Sequence, residues 1–192
     1  MEFFESDIRI FHAFIKVAKK NKSFSDISIK SISEELGMSR QAMYQSHFKS
    51  IEEILNSLYF YVDKGIQKNI TNILNKVYTR SDFIHEIVYS ILPLIYEKRE
   101  FFQILYSEKI ESTWSHFMEH RYSDLLLPIF RDKYFNGEII SAEIQSRIII
   151  HEFIGLISIW MNEEEPSSPE KFAPVVIYAM NKSAKDMINT YV

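Results

Sequence analysis

Apolar side chains recur three and four positions apart through almost the entire chain, while the two-residue alternation of a half-buried strand is scarce. That periodicity, with only four glycines and five prolines in 192 residues, predicts an all-α fold. The spacing predicts a first helix over 6–20, where Ile8, Phe11, Ala13, Phe14, Ile15, Val17 and Ala18 form a wide apolar stripe and lysines close the last turn. The segment NKSFSD interrupts it. Ser28 then stands at an N-cap before IKSISEEL, Gly37 supplies positive φ where that short helix must stop, and Ser39 can cap a second short helix, RQAMYQS. Ser50 and Glu53 form an S-x-x-E capping box opening a long helix over 51–77. Later starts are marked by Ser81, by Ser141, and by Ser168 with Pro169 at the first helical position. Pro93 and Pro174 fall inside helical patterns and predict a kink or short break near each. NEEEPSSPE reads as a loop, and no internal repeat or low-complexity segment is present.

Composition narrows the class. A 46% apolar, 15% aromatic chain of this length can bury a real core, yet it is short for two large independent domains. A small head on a larger body is expected. The absence of cysteine excludes disulfides and thiolate metal sites and fits a reducing compartment. MEFFESDIRI is acidic where a secretory leader would be basic, and the most apolar run, IIIHEFIGLISIWM, is short and interrupted by His151 and Glu152. The chain therefore reads as cytoplasmic, with no membrane partner.

Charge divides the chain. Its formal net charge is −4, yet residues 16–49 carry seven basic side chains against three acidic, and residues from Ile51 onward carry 14 basic against 20 acidic. A basic head on an acidic body is the shape expected when one end meets phosphate and the other does not.

Two short helices joined through Gly37, Met38 and Ser39 and preceded by an apolar helix have the spacing of a helix-turn-helix, whose second helix enters the DNA major groove. Ile32, Leu36, Met38, Met43 and Phe48 are expected to pack inward. Arg40, Gln41, Tyr44, Gln45 and Ser46 are then left facing out, and arginine and glutamine are types that read base edges. Ser28, Lys30, Ser39, Tyr44, His47 and Lys49 suit phosphate oxygens, with helix N-termini adding backbone amides.

The stretch ISIKSISEELGMSRQAMYQSHFKSIEEIL resembles the DNA-binding region of the tetracycline-repressor (TetR) family of transcriptional regulators. Ser28-Ile29 stands for the threonine-valine pair opening the family's second helix, Ile32-Ser33 for its isoleucine-alanine pair, and Gly37-Met38-Ser39 for its glycine-valine-serine turn. Tyr44, His47-Phe48 and Lys49-Ser50 complete the pattern. Two residues, Gln45 and Ser46, separate Tyr44 from His47 where the family usually has one, and Ile51 replaces a common lysine. The resemblance implies a DNA-binding domain over 1–50, a ligand-binding and dimerisation domain over 51–192, a homodimer on a palindromic operator, no enzymatic activity and no cofactor. It further implies that the helix from Ile51 passes motion from body to head, with Gly65 as its weak point.

In the body, apolar side chains cover so much of IIIHEFIGLISIWM that it should be buried on two sides, one against a partner. With FAPVVIYAMNKSAKDMI it predicts a four-helix dimer interface, for which Ile148, Glu152, Gly155, Ile159, Val176 and Met180 are the candidates. Phe102, Tyr106, Trp114 and Phe117 are candidates to line a pocket for a small apolar or aromatic ligand, oriented by His85, Tyr89 or His116. HFMEH, His116 to His120, matches the H-x-x-E-H zinc-peptidase pattern, with Glu119 as base and His151, Glu152 or Glu108 as third ligand. A zinc hydrolase is thus the alternative from another class, and a helical protein-interaction module is a third.

Overall fold

The computed structural model describes residues 2–76, 80–108, 110–131 and 140–189. The first helix, α1 (Glu5–Lys20), buries Ile10 and every residue of the predicted stripe except Ile8, which stays half-exposed. A short 3-10 turn, Phe24–Asp26, fills the expected interruption. Ser28 caps α2 (Ile29–Leu36) by accepting from the Ser31 N–H at 3.1 Å. Gly37 ends it at φ 65°, with its own N–H on Glu34 O and the Met38 N–H on Ser33 O at 2.9 Å. That pair of bonds is a Schellman stop, and it turns Met38 back against the core. Ser39 then caps α3 (Arg40–Ser46) through the Ala42 N–H at 3.1 Å.

Ser50 opens α4 (Ile51–Leu74) by accepting from the Glu53 N–H at 3.1 Å. The predicted box is only half made, because the Glu53 carboxylate accepts from the Lys49 N–H at 2.7 Å, one residue beyond the cap. Residues 77–79, where the expected helix would have ended, lie outside the described residues. Helix α5 (Arg80–Glu97) already includes Ser81, so that serine is within the first turn and does not precede the helix. Neither Pro93 in α5 nor Pro174 in α9 (Pro169–Asn181) breaks its helix. Each removes one backbone bond, but Leu92 and Ile95 beside the first and Ala173 and Val176 beside the second are buried, and that packing holds the turns in place. Ser168 precedes α9 as expected, without a side-chain cap bond.

The remaining helices are α6 (Arg99–Leu105), α7 (Glu111–Arg131), α8 (Ala142–Met161) and α10 (Ala184–Asn189). Helix α7 packs along α8, α5 lies against both α4 and α9, and α1 touches α2, α4 and α6. Trp160 on α8 is sandwiched between Phe172, stacked at 4.7 Å, and Tyr96, stacked at 5.9 Å. Head and body share one hydrophobic core. Phe11 of α1 contacts Tyr61 of α4 at 5.3 Å, and Phe101 of α6 receives both Tyr61 and His12, so a shift of α4 is felt directly by α1.

Among the described residues one helix, α8, is long and apolar enough by length and composition to cross a membrane. The apolar run read from the sequence, IIIHEFIGLISIWM, covers only the C-terminal part of the helix's full 20 residues. Little of α8 is buried within the protomer, which leaves an apolar face to explain.

Candidate functional site

Local rules build the outer face of α3. Met43, fully buried, fixes the helix rotation, and Phe48, 7% exposed, pins the chain after it. Ser39, Arg40, Gln41, Tyr44 and Gln45 are then all exposed, with Tyr44 at 48% despite its ring. Ser28, Lys30 and Lys49 are exposed beside them. The two residues between Tyr44 and His47 carry α3 to Ser46, and His47 leaves it at φ −135°, ψ −96°. His47 differs from expectation: its ring is only 14% exposed and its Nδ1 stands 3.6 Å from the Asp7 carboxylate of α1, so it ties α3 to α1 and does not project outward.

Part of the basic excess of the head is internally neutralised. Lys20 donates to Glu35 at 2.8 Å with Lys16 at 3.6 Å, and the Lys20 bond holds the Glu35 carboxyl below its usual range. Lys30 lies 3.9 Å from Glu34. These pairs cross or decorate α1 and α2, while Arg40 and Lys49 flank the outward face of α3.

In the body, an open groove of about 560 Å³ runs between α4 and α7. Tyr59, Phe60 and Phe117 form its apolar wall, and Asn56, Gln67, Thr113, His116, His120, Arg121 and Asp124 supply the polar atoms. Of the residues proposed from sequence to hold a ligand, Phe117 lines this groove. Phe102, Tyr106 and Trp114 lie beneath it as core: each is at most 2% exposed, and Trp114 stacks under Phe117 at 5.6 Å. His85 and Tyr89 sit exposed on α5, with rings 6.1 Å apart, and do not line it. Aromatic content marked this part of the chain but could not separate core from lining.

The groove rests on a buried charge that sequence reasoning missed. Asp63 occupies an inward position of α4 and is fully buried. It accepts from Arg121 Nε and from the Tyr122 hydroxyl, while Arg121 Nη2 donates to Gln67 Oε1 at 2.6 Å. Burial pushes the Asp63 carboxyl up, opposed by Tyr122, Arg121 and Lys98. Burial also pulls the Lys98 ammonium down and drives the Tyr122 phenol far above its usual range. Lys98 is seated 4.1 Å over the Tyr61 ring and donates to Tyr61 O at 2.7 Å. An acid among Tyr59, Val62 and Ile66 on a helical stripe was the one available signal.

The HFMEH helix turn divides between two faces. His116 and His120 are exposed and line the groove. Glu119 points to α8, accepting from Arg147 Nε at 2.6 Å and lying 3.1 Å from His151 Nε2, and the Arg147 bond holds its carboxyl low. A general base must face the metal it serves, so this arrangement does not build the peptidase site.

On α8, Ile148 and Ile159 are 51% and 66% exposed, and Glu152 and Gly155 share their face. Partial burial raises the Glu152 carboxyl. On α9, Val175 and Tyr178 are exposed and Met180 is half-buried. Val176 must be withdrawn from the interface candidates: it is completely buried in the protomer core, because the α9 stripe facing α5 passes through Phe172, Ala173 and Val176.

Residues 82–182 match the family model of the TetR-type transcriptional regulator C-terminal region. No curated protein matches the chain in sequence. The fatty acid degradation regulator FadR from Bacillus halodurans has a similar structure, at TM-score 0.70 and 12% identity, covering 97% of this chain and 100% of that one. NalD from Pseudomonas aeruginosa, the secondary repressor of the MexAB-OprM multidrug efflux pump, is similar at TM-score 0.68 and 16% identity, covering 92% and 96%. A putative fatty acid metabolism regulator from Clostridium perfringens follows at TM-score 0.66 and 15% identity, covering 90% and 97%. At these identities the likeness is one of fold.

Proposed function

This chain belongs to the TetR family of transcriptional regulators, and we propose that it is a ligand-responsive repressor acting as a homodimer on a palindromic operator. Membership makes it a non-enzymatic transcription factor, which removes the zinc-hydrolase reading of HFMEH. One observation carries the DNA-binding reading: capping by Ser39 and burial of Met43 leave Arg40, Gln41, Tyr44 and Gln45 together on the outer face of a short helix. Arg40 and the glutamines read base edges, while Ser28, Lys30, Ser39, Tyr44 and Lys49 hold phosphates. Residues 1–50 form the DNA-binding unit and residues 51–192 the ligand-binding and dimerisation unit, both in the cytoplasm.

A second copy covers the apolar face of α8 and α9. Ile148, Ile159, Val175 and Tyr178 would otherwise remain in water, and a Cβ added at Gly155 meets nothing within 4 Å in the protomer, which leaves room for a partner backbone. Two heads related by a two-fold axis read half-sites about 34–36 Å apart or a multiple of it. A small molecule with an apolar or aromatic body lowers operator affinity by favouring a conformation with wrongly spaced heads. Its effect is limited to its differential affinity for the two states, about 1–3 kcal/mol. The repressor and efflux or fatty-acid regulator names of the fold relatives fit this reading.

The test is capture of sheared DNA from the source organism by the full chain, at low and moderate salt, beside a variant with Arg40, Gln41 and Tyr44 changed to alanine. A shared sequence enriched by the native chain at moderate salt and lost by the variant is expected. Equal capture by both proteins would defeat the assignment of α3.

A further inference from the structure

The sequence motif left without a role, the exposed His116/His120 pair, borders the same groove as the buried Asp63–Arg121 pair. We propose that the α4–α7 groove is the effector site of this regulator and that it selects a small monoanion, an aromatic or short aliphatic carboxylate anchored by Arg121; this rests on the ligand-responsive reading above.

The groove volume of about 560 Å³ suits a small molecule, and its wall of Tyr59, Phe60 and Phe117 gives an apolar body something to cover. The choice of charge follows from Arg121. Its Nε and Nη2 are engaged by Asp63 and Gln67, and its Nη1 amino group has no partner among the described residues although the side chain is 23% exposed in the groove. Arginine is pre-formed to fork onto a carboxylate through a free edge. Behind it Asp63 faces both Arg121 and Lys98, and Lys98 is also opposed by the neighbouring Glu97, so the outward edge of Arg121 is the cationic group that meets the groove. His116 and His120, one turn apart, offer further donors from the rim.

An organic cation is disfavoured by the same geometry. The seat over the Phe60 and Phe117 rings is already filled by the Arg121 guanidinium, at 5.2 and 5.7 Å. Asp124, the acid of the lining, opposes a second negative group and so favours monoanions over dianions. Because Arg121 is on α7 and Asp63 on α4, a carboxylate drawing on the guanidinium also alters the tie that holds the helix leading from the head.

The full-length protein is titrated calorimetrically with phenylbutyrate and octanoate and with the corresponding primary amides and amines. At least one acid is expected to bind about tenfold or more tighter than its amide, with the amine weaker still. The paired variant Asp63→Asn with Arg121→Gln, which removes both charges together, loses the preference. His116→Gln with His120→Gln, at exposed positions that leave the fold alone, weakens the acid about threefold to tenfold. Equal binding of acid and amide, binding of neither, or an unchanged preference in a folded paired variant overturns the proposal. Should the paired variant fail to fold, the amide comparison and the histidine variant decide. Acid binding with unaltered affinity for the captured DNA leaves the site standing and sinks the ligand-responsive reading. DNA binding intact with no acid bound does the reverse.

Discussion

The head and the groove solve positioning in opposite ways. In the head, each functional side chain is aimed by contacts within a few residues: Ser28, Gly37 and Ser39 start and stop α2 and α3, and Met43 sets the rotation. In the groove, nothing local aims Arg121. It is held by Asp63 and Gln67, more than fifty residues earlier in the chain. A surface meant to meet a repeating duplex can be assembled from short-range rules, whereas a site for one small molecule takes its shape from how two distant helices are clamped.

That contrast can be broken at several points, beginning with the clamp. Asp63→Ala leaves Arg121 without its counter-ion and opens a buried polar gap, and a loss of about 3 kcal/mol in denaturant unfolding is expected. Ile159→Glu, at a position 66% exposed in the protomer, should leave that unfolding within about 0.5 kcal/mol while sedimentation shows a monomer. Its affinity for the palindrome should fall roughly a hundredfold, since the second half-site is no longer tethered. Arg40→Ala should cost about 2 kcal/mol of operator affinity and relax the base preference at one symmetric position, measured by titration against the selected duplex. Ser39→Ala should destabilise by about 1 kcal/mol through the lost cap on α3.

The smallest effects are on pH dependence, and the two clamps should slope in opposite directions. The carboxyl of Glu119, held low by Arg147, contributes stability that is present above the ordinary glutamate range and is lost as pH falls through its lowered value. The carboxyl of Asp63, pushed up by burial, contributes stability that is present below the ordinary aspartate range and is lost as pH rises through its raised value. Urea midpoints followed from below the ordinary carboxylate range up to mildly acidic pH should therefore lose the slope at the acid end in Glu119→Gln and the opposite slope, at the higher end, in Asp63→Asn.

The same division decides what the sequence could reveal. Caps at Ser28, Ser39, Ser50 and Ser141 and the stop at Gly37 were legible because each depends on two to five neighbouring residues. Ser81 misled, since the chemistry of a cap does not say which residue the helix begins on. The prolines at 93 and 174 do not interrupt their helices, because burial on either side outweighs one lost bond. His47 was read as an outward donor, but its partner Asp7 lies forty residues earlier and cannot be inferred from spacing. Val176 was misplaced by one side of a helix, a difference set by α5 and invisible to periodicity alone. The groove was least legible. Its aromatic region was recognised, yet Tyr59, Phe60 and Arg121 belong to it only because α4 and α7 pack together.

The most direct test of the regulator reading is a footprint of the full-length protein on a duplex selected from a random pool. Two symmetric protected segments, centred about 34–36 Å apart or at a multiple of it, are expected, with a guanine contact in each that disappears in Arg40→Ala. A single asymmetric footprint, or a pattern identical in Arg40→Ala and in the native chain, would contradict the picture of two α3 helices reading a palindrome.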